Sequence, residues 1–272
     1  MTLWVFGDSY ANGYMEKPWF WSKSLANKLS TDIRNYGVPG SGLEFTYTEV
    51  QKYYKEFQSG DSVVVCLTQL HRQYFFVDNP KISIIQSFDN PFIVPKDIKR
   101  TYQKAFSLFV EKLYNENNSK VNLTNFLFFL QHLADTKGIK IIALSCFSDV
   151  DNFISSIKED VPSIQLASGN LFSISENECA SKDVVEVFYH YEARANHICK
   201  RNHTVLCDKL FDCLHTNNPI NLTTGFHSKF MTRELSISKE FAEDEFLFPE
   251  KMTEVHKSNI FEEFMNFNLT IL

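Results

Sequence analysis

Four short polar clusters carry the residue types that a serine-dependent acyl transfer needs. Ser9 ends the cluster at residues 7–9, and small residues dominate the cluster at residues 37–42. Polar side chains fill most of residues 68–72, and an acid precedes an Asn-His pair within residues 192–197. Together they can supply a nucleophile, backbone N–H donors for an oxyanion, a polar side chain beside those donors, and a base with an orienting acid.

The first three clusters each follow an apolar run that predicts a strand. These runs cover residues 3–6, 33–37 and 62–67. The third run is nearly continuous in β-branched residues, which is typical of a strand covered on both faces of a parallel sheet. Because the carboxyl ends of parallel strands meet at one edge, we expect the three clusters to lie together there. A simpler interpretation makes Asp8 and Ser9 turn and helix-capping residues.

Strands and helices alternate along most of the chain. This alternation predicts an α/β fold with three α/β/α layers and a five-stranded, mainly parallel sheet. Strands are expected at residues 3–6, 33–37, 62–67, 139–147 and 164–166, and helices at 20–29, 45–57, 97–115, 119–137 and 200–214. Residues 74–97 and most of residues 172–196 are expected to be irregular.

The alternation ends near Leu214, and the composition changes after it. We therefore predict a sheet domain over residues 1–215 and an acidic, Phe-rich C-terminal extension over residues 216–272. The extension is expected to lie outside the sheet, where it either packs back on the domain or binds a partner.

Composition excludes several classes of function. The 272 residues are 44% hydrophobic and have a net charge of −6, with no basic stripe of the kind that binds nucleic acid. None of the six cysteines forms a C-x-x-C pair, so a zinc ribbon is not expected. Neither G-x-G-x-x-G nor a P-loop motif occurs. We predict no metal and no cofactor.

The sequence also predicts where the protein is made. Met1 leads directly into the first predicted strand, without the basic and apolar regions of a signal peptide. The longest apolar run, residues 126–130, is far too short to cross a membrane. We expect a protein synthesised in the cytoplasm, with thiols that stay reduced there and no membrane partner.

In these motifs and their order, the sequence resembles the SGNH (GDSL-type) hydrolases. Residues 7–9 match the family's first block, which carries the serine. Residues 35–40, Asn-Tyr-Gly-Val-Pro-Gly, resemble the second block, N-x-G-x-x-G. Residues 192–203 resemble the final block of phage-encoded members, in which an acid, an Arg and an Asn-His pair precede the last helix. The resemblance covers roughly residues 1–215.

The resemblance implies a flavodoxin-like SGNH architecture and an esterase mechanism. Ser9 would attack the carbonyl of an ester or an acylated glycan after His197 takes its proton. Glu192 would orient His197. The backbone N–H groups of Ser9 and Gly40 would hold the oxyanion, and either Gln69 or Thr68 would complete the oxyanion hole.

Two departures separate this chain from the family pattern. The third block is usually G-x-N-D, whereas residues 68–71 read Thr-Gln-Leu-His and contain no Asn. Arg72 is a further candidate donor there. In the last block the family usually has Asp three residues before the histidine. Arg194 occupies that position here, and Glu192 lies five residues before His197.

Three alternatives remain open at the level of sequence. Asp212 and His215 have D-x-x-H spacing, but they fall inside a predicted amphipathic helix, which favours His197 as the base. The chain could also be a catalytically degraded structural protein of this fold, such as a phage virion component. It would then associate with itself or with a protein partner through residues 216–272. A nucleotide-binding flavodoxin-like module rests on fold class alone.

Overall fold

The structure is a computed structural model that describes residues 1–12, 18–76, 83–86, 108, 112, 114–181 and 198–231. Its strands are β1 Thr2–Phe6, β2 Asp32–Asn35, β3 Ser62–Leu67, β4 Gln73–Phe76, β5 Ser83–Gln86, β6 Lys140–Ser145 and β7 Ile164–Asn170. Its longer helices are α1 Ser9–Asn12, α2 Trp21–Leu29, α3 Leu43–Tyr53, α4 Glu116–Lys137, α5 Ser148–Ser156, α6 Leu171–Glu178 and α7 Lys200–Thr216. Short 3₁₀ turns follow α3 and α5.

Five strands form one parallel sheet in the order β2-β1-β3-β6-β7. β3 lies at its centre, and all six of its residues are buried. Val64 of β3 pairs with Val5 on one side and with Ile142 on the other. β1 lies between β2 and β3 and pairs in parallel with both. Because the three strands run in the same direction, the chain segments that follow them leave the sheet at the same edge.

The two faces of the sheet are covered by different helices. Leu3 and Val5 of β1 point to the face packed by α2 and α7. Trp4 and Phe6 point to the opposite face, which α3 and α4 cover. This alternation, with an apolar layer on each side of the sheet, is what a doubly covered parallel sheet requires. The predicted three-layer α/β fold is confirmed.

Several element boundaries follow local signals in the sequence. The predicted helix at 20–29 and the predicted strand at 62–67 agree closely with α2 and β3. Gly138 ends α4 with φ +63°, the left-handed conformation that glycine adopts without strain at a helix C-terminus. The helix predicted over 97–115 falls largely outside the described residues.

Two expectations of irregular structure are wrong. β4 and β5 form an antiparallel pair, and all of this pair but Gln73 falls in the segment 74–97. The helix α6 begins at Leu171 and runs into the segment 172–196, and Asn170 caps it by accepting a hydrogen bond from Ser173 N. Its eight residues bury little more than Leu171 and Ile174 as apolar groups, so the helical periodicity is too short to stand out from the polar sequence around it.

The first part of the predicted C-terminal extension lies along β7. Ser168 N donates to Ile220 O at 2.9 Å, and Leu222 N donates to Ser168 O at 2.8 Å. The side chains of Ile220 and Leu222 are buried in the core between the sheet and α7. Residues 232–272 lie outside the described part of the chain. Within the described part, every helix is too short or too polar to span a bilayer.

Candidate active site

Ser9 is placed by the close approach of β1 to β3. Gly7 follows β1 with φ +139°, and a Cβ built on it would lie 2.6 Å from Cys66 Cβ. Only glycine fits this conformation and this gap. The chain therefore turns sharply at the end of β1, and Ser9 begins the single-turn helix α1 with 8% of its surface exposed.

Asp8 is the polar centre of the site, and it is completely buried. One carboxylate oxygen, Oδ1, accepts a hydrogen bond from Tyr10 N at 3.0 Å, so Asp8 caps α1 as a turn residue would. The other, Oδ2, accepts from Thr68 Oγ1 at 2.8 Å and from Arg72 Nη1 at 2.9 Å. Asp8 thus joins the first polar cluster to the third by a charge-assisted contact.

The turn after β3 is held by side chains at both ends. Arg72 Nε donates to Gln69 Oε1 at 3.0 Å, and the guanidinium lies 5.1 Å from the ring centre of Phe147. Leu70 N donates to Asp149 Oδ2 at 2.9 Å. The side chains of Arg72 and Gln69 are therefore fixed relative to each other and to the end of the sheet.

The second cluster packs on the same edge. Val38 N and Ser41 Oγ both donate to Gly7 O, at 2.9 and 3.1 Å. Asn35 Nδ2 donates to Ala11 O at 2.7 Å, which ties the end of β2 to α1. Gly40 has φ +79°, and it lies in the loop between Val38 and α3. The predicted convergence of the three N-terminal clusters is therefore present in the structure.

The predicted oxyanion donors differ in burial and in whether their N–H or O–H groups are already hydrogen-bonded within the protein. Thr68 is buried, and its single O–H is donated to Asp8. Gln69 is half-buried, and only its carbonyl oxygen is held by Arg72, which leaves its NH₂ group as the donor end. Ser9 begins α1, and Gly40 lies in the glycine loop, which is residues 37–42 between β2 and α3. Their roles as backbone donors remain predictions.

Among solved structures, the chain is similar to two proteins described as lipolytic and of the G-D-S-L family. The first, from Desulfitobacterium hafniense, is 13% identical, with a TM-score of 0.41, over 76% of this chain and 95% of that one. The second, from Veillonella parvula, is also 13% identical, with a TM-score of 0.41, over 79% of this chain and 97% of that one. No family model and no curated protein matches the chain.

The predicted base and its acid, His197 and Glu192, lie outside the described residues, as does Arg194. The chain is described again from Ile198, which is buried. Helix α7 begins two residues later, at Lys200, so the predicted last helix of the sheet domain does follow the fourth cluster directly.

A buried carboxylate anchors the start of α7. Both oxygens of Glu178 accept a hydrogen bond from Cys199 N, at 2.9 and 3.1 Å, and Oε1 also accepts from Asn202 Nδ2 at 2.7 Å. Burial raises the pKa of Glu178 to about 7. Glu178 could not be identified from the sequence, because a glutamate in a polar segment carries no sign that the fold will bury it.

Asn202 extends this anchor to the segment after α7. Its Oδ1 accepts from His227 N at 2.8 Å, and its Nδ2 donates to His227 O at 2.9 Å as well as to Glu178. His203, beside it, is buried, and its Nδ1 accepts from Trp21 N at 3.4 Å. These residues hold α6, α7 and α2 together at the N-terminal end of α7.

The rival pair Asp212 and His215 lies on α7, as expected. His215 is exposed, and its Nδ1 lies 2.8 Å from Phe211 O one turn earlier. Asp212 and His215 occupy the last two turns of α7, whereas the three N-terminal clusters meet around Gly7 and Asp8. The choice of His197 over His215 as the base remains a prediction.

Proposed function

We propose that this protein is a serine ester hydrolase of the SGNH type, with Ser9 as nucleophile and His197 as base. The observation that carries the proposal is the position of Ser9. It follows the end of β1 by three residues, at the edge where the loop after β2 is hydrogen-bonded to Gly7 and the turn after β3 to Asp8. Open α/β sheets bind their ligands outside the carboxyl ends of the strands.

The proposed reaction proceeds in two steps. His197 takes the proton of Ser9 Oγ as that oxygen bonds to the carbonyl carbon, and the N–H groups of Ser9 and Gly40 donate to the oxyanion. His197 then gives the proton to the leaving alkoxide, which departs as an alcohol. Water attacks the acyl-serine in the same way and releases the carboxylic acid. Glu192 orients His197 throughout.

Labelling and hydrolysis test this proposal together. A fluorophosphonate should label the full chain at Ser9, and the protein should hydrolyse p-nitrophenyl acetate or remove O-acetyl groups from an acetylated glycan. Ser9→Ala should abolish both readouts. Ser155→Ala is the matched control, because Ser155 is an exposed serine whose hydroxyl donates to Asp151 O within α5. A wild-type protein that is neither labelled nor active on any short-chain ester contradicts the proposal.

One observation favours a second candidate, a structural protein of the same fold without catalysis. The third cluster has no Asn, and the hydroxyl of Thr68 is occupied by Asp8. This candidate predicts self-association or a stable protein partner, dependent on the extension. Light scattering would compare the full chain with a chain that ends at Met231, which keeps the described part of the extension. A full chain that is monomeric and hydrolyses esters excludes it.

A further inference from the structure

Within the described part of the chain, three contacts hold the guanidinium of Arg72. Nη1 donates to Asp8 Oδ2 at 2.9 Å, Nε donates to Gln69 Oε1 at 3.0 Å, and the plane lies over the ring of Phe147. Its side chain is only 10% exposed. A guanidinium presents its N–H groups in a rigid fork, so fixing Nη1 on Asp8 also fixes the direction of Nε.

The contact with Nε decides which end of Gln69 can act on a substrate. A primary amide has an acceptor oxygen and a donor NH₂ group on opposite branches of the same carbon. Because Arg72 binds the oxygen, the NH₂ group is the end that remains to donate. In the same cluster, the O–H of Thr68 is donated to Asp8 and so is not directed at a substrate.

Asp8 links the turn that carries Gln69 to the backbone that carries Ser9. Asp8 Oδ2 accepts from Thr68 and from Arg72, the residues on either side of the turn that contains Gln69. Ser9 is the next residue after Asp8, and Gln69 is the next residue after Thr68. One carboxylate therefore anchors the backbone that carries the nucleophile and the turn that carries the amide.

We propose that Arg72 is a positioning residue that directs the Gln69 NH₂ group to the oxyanion formed beside Ser9. Gln69 then donates the hydrogen bond that the asparagine of the G-x-N-D pattern would donate to the oxyanion. Asp8 keeps Arg72 in place. This inference rests on the proposed ester hydrolysis.

The substitution Gln69→Glu distinguishes the role of the acceptor oxygen of Gln69 from the role of its NH₂ group. The glutamate keeps an acceptor oxygen for Arg72 Nε and nearly the same shape, but it cannot donate to an oxyanion. With p-nitrophenyl acetate, we expect kcat to fall by about 10²–10³ with little change in KM, as for the loss of one oxyanion donor. If Gln69 only supports Arg72, Gln69→Glu keeps the wild-type kcat, and the inference is overturned.

A double-mutant cycle tests the role of Arg72. Arg72→Lys keeps a positive charge for Asp8 but removes the fork that reaches Gln69, so kcat should fall about tenfold or more. In a Gln69→Ala background the same change should have almost no further effect on kcat, since no amide remains to be positioned. Equal losses in both backgrounds overturn the positioning role.

Controls keep the outcomes distinct. Arg34→Lys makes the same exchange at an exposed arginine paired with Glu56, and it should leave kcat unchanged. Circular dichroism and thermal melting identify any variant that fails to fold, and Gln69→Glu decides the question if Arg72→Lys is such a variant. Absence of wild-type labelling and hydrolysis overturns the proposed function and this inference together. An active enzyme with an unaffected Gln69→Glu variant overturns this inference alone.

Discussion

The carboxylate of Asp8 lies 2.9 Å from the guanidinium of Arg72, across the ends of two neighbouring strands. Both side chains are buried, and they are 64 positions apart in the chain. The pair fixes the turn after β3 against the residue that precedes Ser9. A buried ion pair is costly to break from one side, because the remaining charge has no partner and little water.

Asp8→Asn should therefore destabilise the fold strongly. It leaves the Arg72 charge buried without a counter-charge, and we expect a loss of about 3–5 kcal/mol in the free energy of unfolding. Urea denaturation measures this loss. Asp208→Asn is the matched control, because Asp208 pairs with Lys28 at the surface, where such pairs contribute about 1 kcal/mol or less. Equal losses in the two variants would contradict a structural role for the Asp8–Arg72 pair.

Gly7→Ala should disrupt the turn that presents Ser9. The added methyl would lie 2.6 Å from both the Cβ and the backbone oxygen of Cys66, and the φ of +139° is strained for alanine. Overpacking and backbone strain each cost of order 1–3 kcal/mol, so we expect a marked fall in thermal stability. Gly60→Ala is the control, since Gly60 also has a positive φ but no atom lies within 4 Å of its added Cβ. A melting temperature lowered no more by Gly7→Ala than by Gly60→Ala would exclude the steric explanation.

Glu178 should make stability depend on pH in a defined window. Its pKa is about 7 in the folded protein and 4.5 in the unfolded chain, so the folded state holds its proton more tightly. Between these values the unfolded chain loses the proton first. This group's contribution to the free energy of unfolding therefore falls as pH rises from about 4.5 to about 7, by roughly 3 kcal/mol. Above pH 7 its contribution is constant.

Glu178→Gln removes this titration. Relative to wild type, the variant's free energy of unfolding should rise as pH rises from about 4.5 to about 7, with no further rise above pH 7. Urea denaturation at several pH values measures this difference. Glu176→Gln changes the same charge at an exposed position of α6. Its effect on the free energy of unfolding is subtracted from the effect of Glu178→Gln at each pH. A difference between wild type and Glu178→Gln that stays constant from pH 4.5 to 7 would contradict the assignment.

The architecture could be predicted because its signals are local. The β-branched run of β3 identifies a buried strand, and Gly138 marks the end of α4. Ser9 and the glycine loop could also be assigned to one edge of the sheet, since the position of a strand end follows from the fold class. None of these inferences needed a contact between distant residues.

The details of the site could not be predicted, because they depend on contacts between residues that are distant in the sequence. Thr68, Gln69 and Arg72 were interchangeable as donors in the sequence, because only the side-chain contacts show which N–H or O–H group is already bonded. Glu178 could not be recognised because its partners, Cys199 and Asn202, lie at the start of α7, more than 20 residues away. Such pairings are set by packing of the whole domain, and a local pattern does not record them.

The pairing of Ser168 with residues 220–222 has a consequence for synthesis of the chain. The two parts are 52 positions apart, so the ribosome takes roughly 3–10 s to make the connecting segment. During that interval the outer side of β7 in a nascent chain has no residues 220–222 to pair with. This edge of β7 can therefore be completed only after Leu222 has been synthesised, however early the strands before it are made.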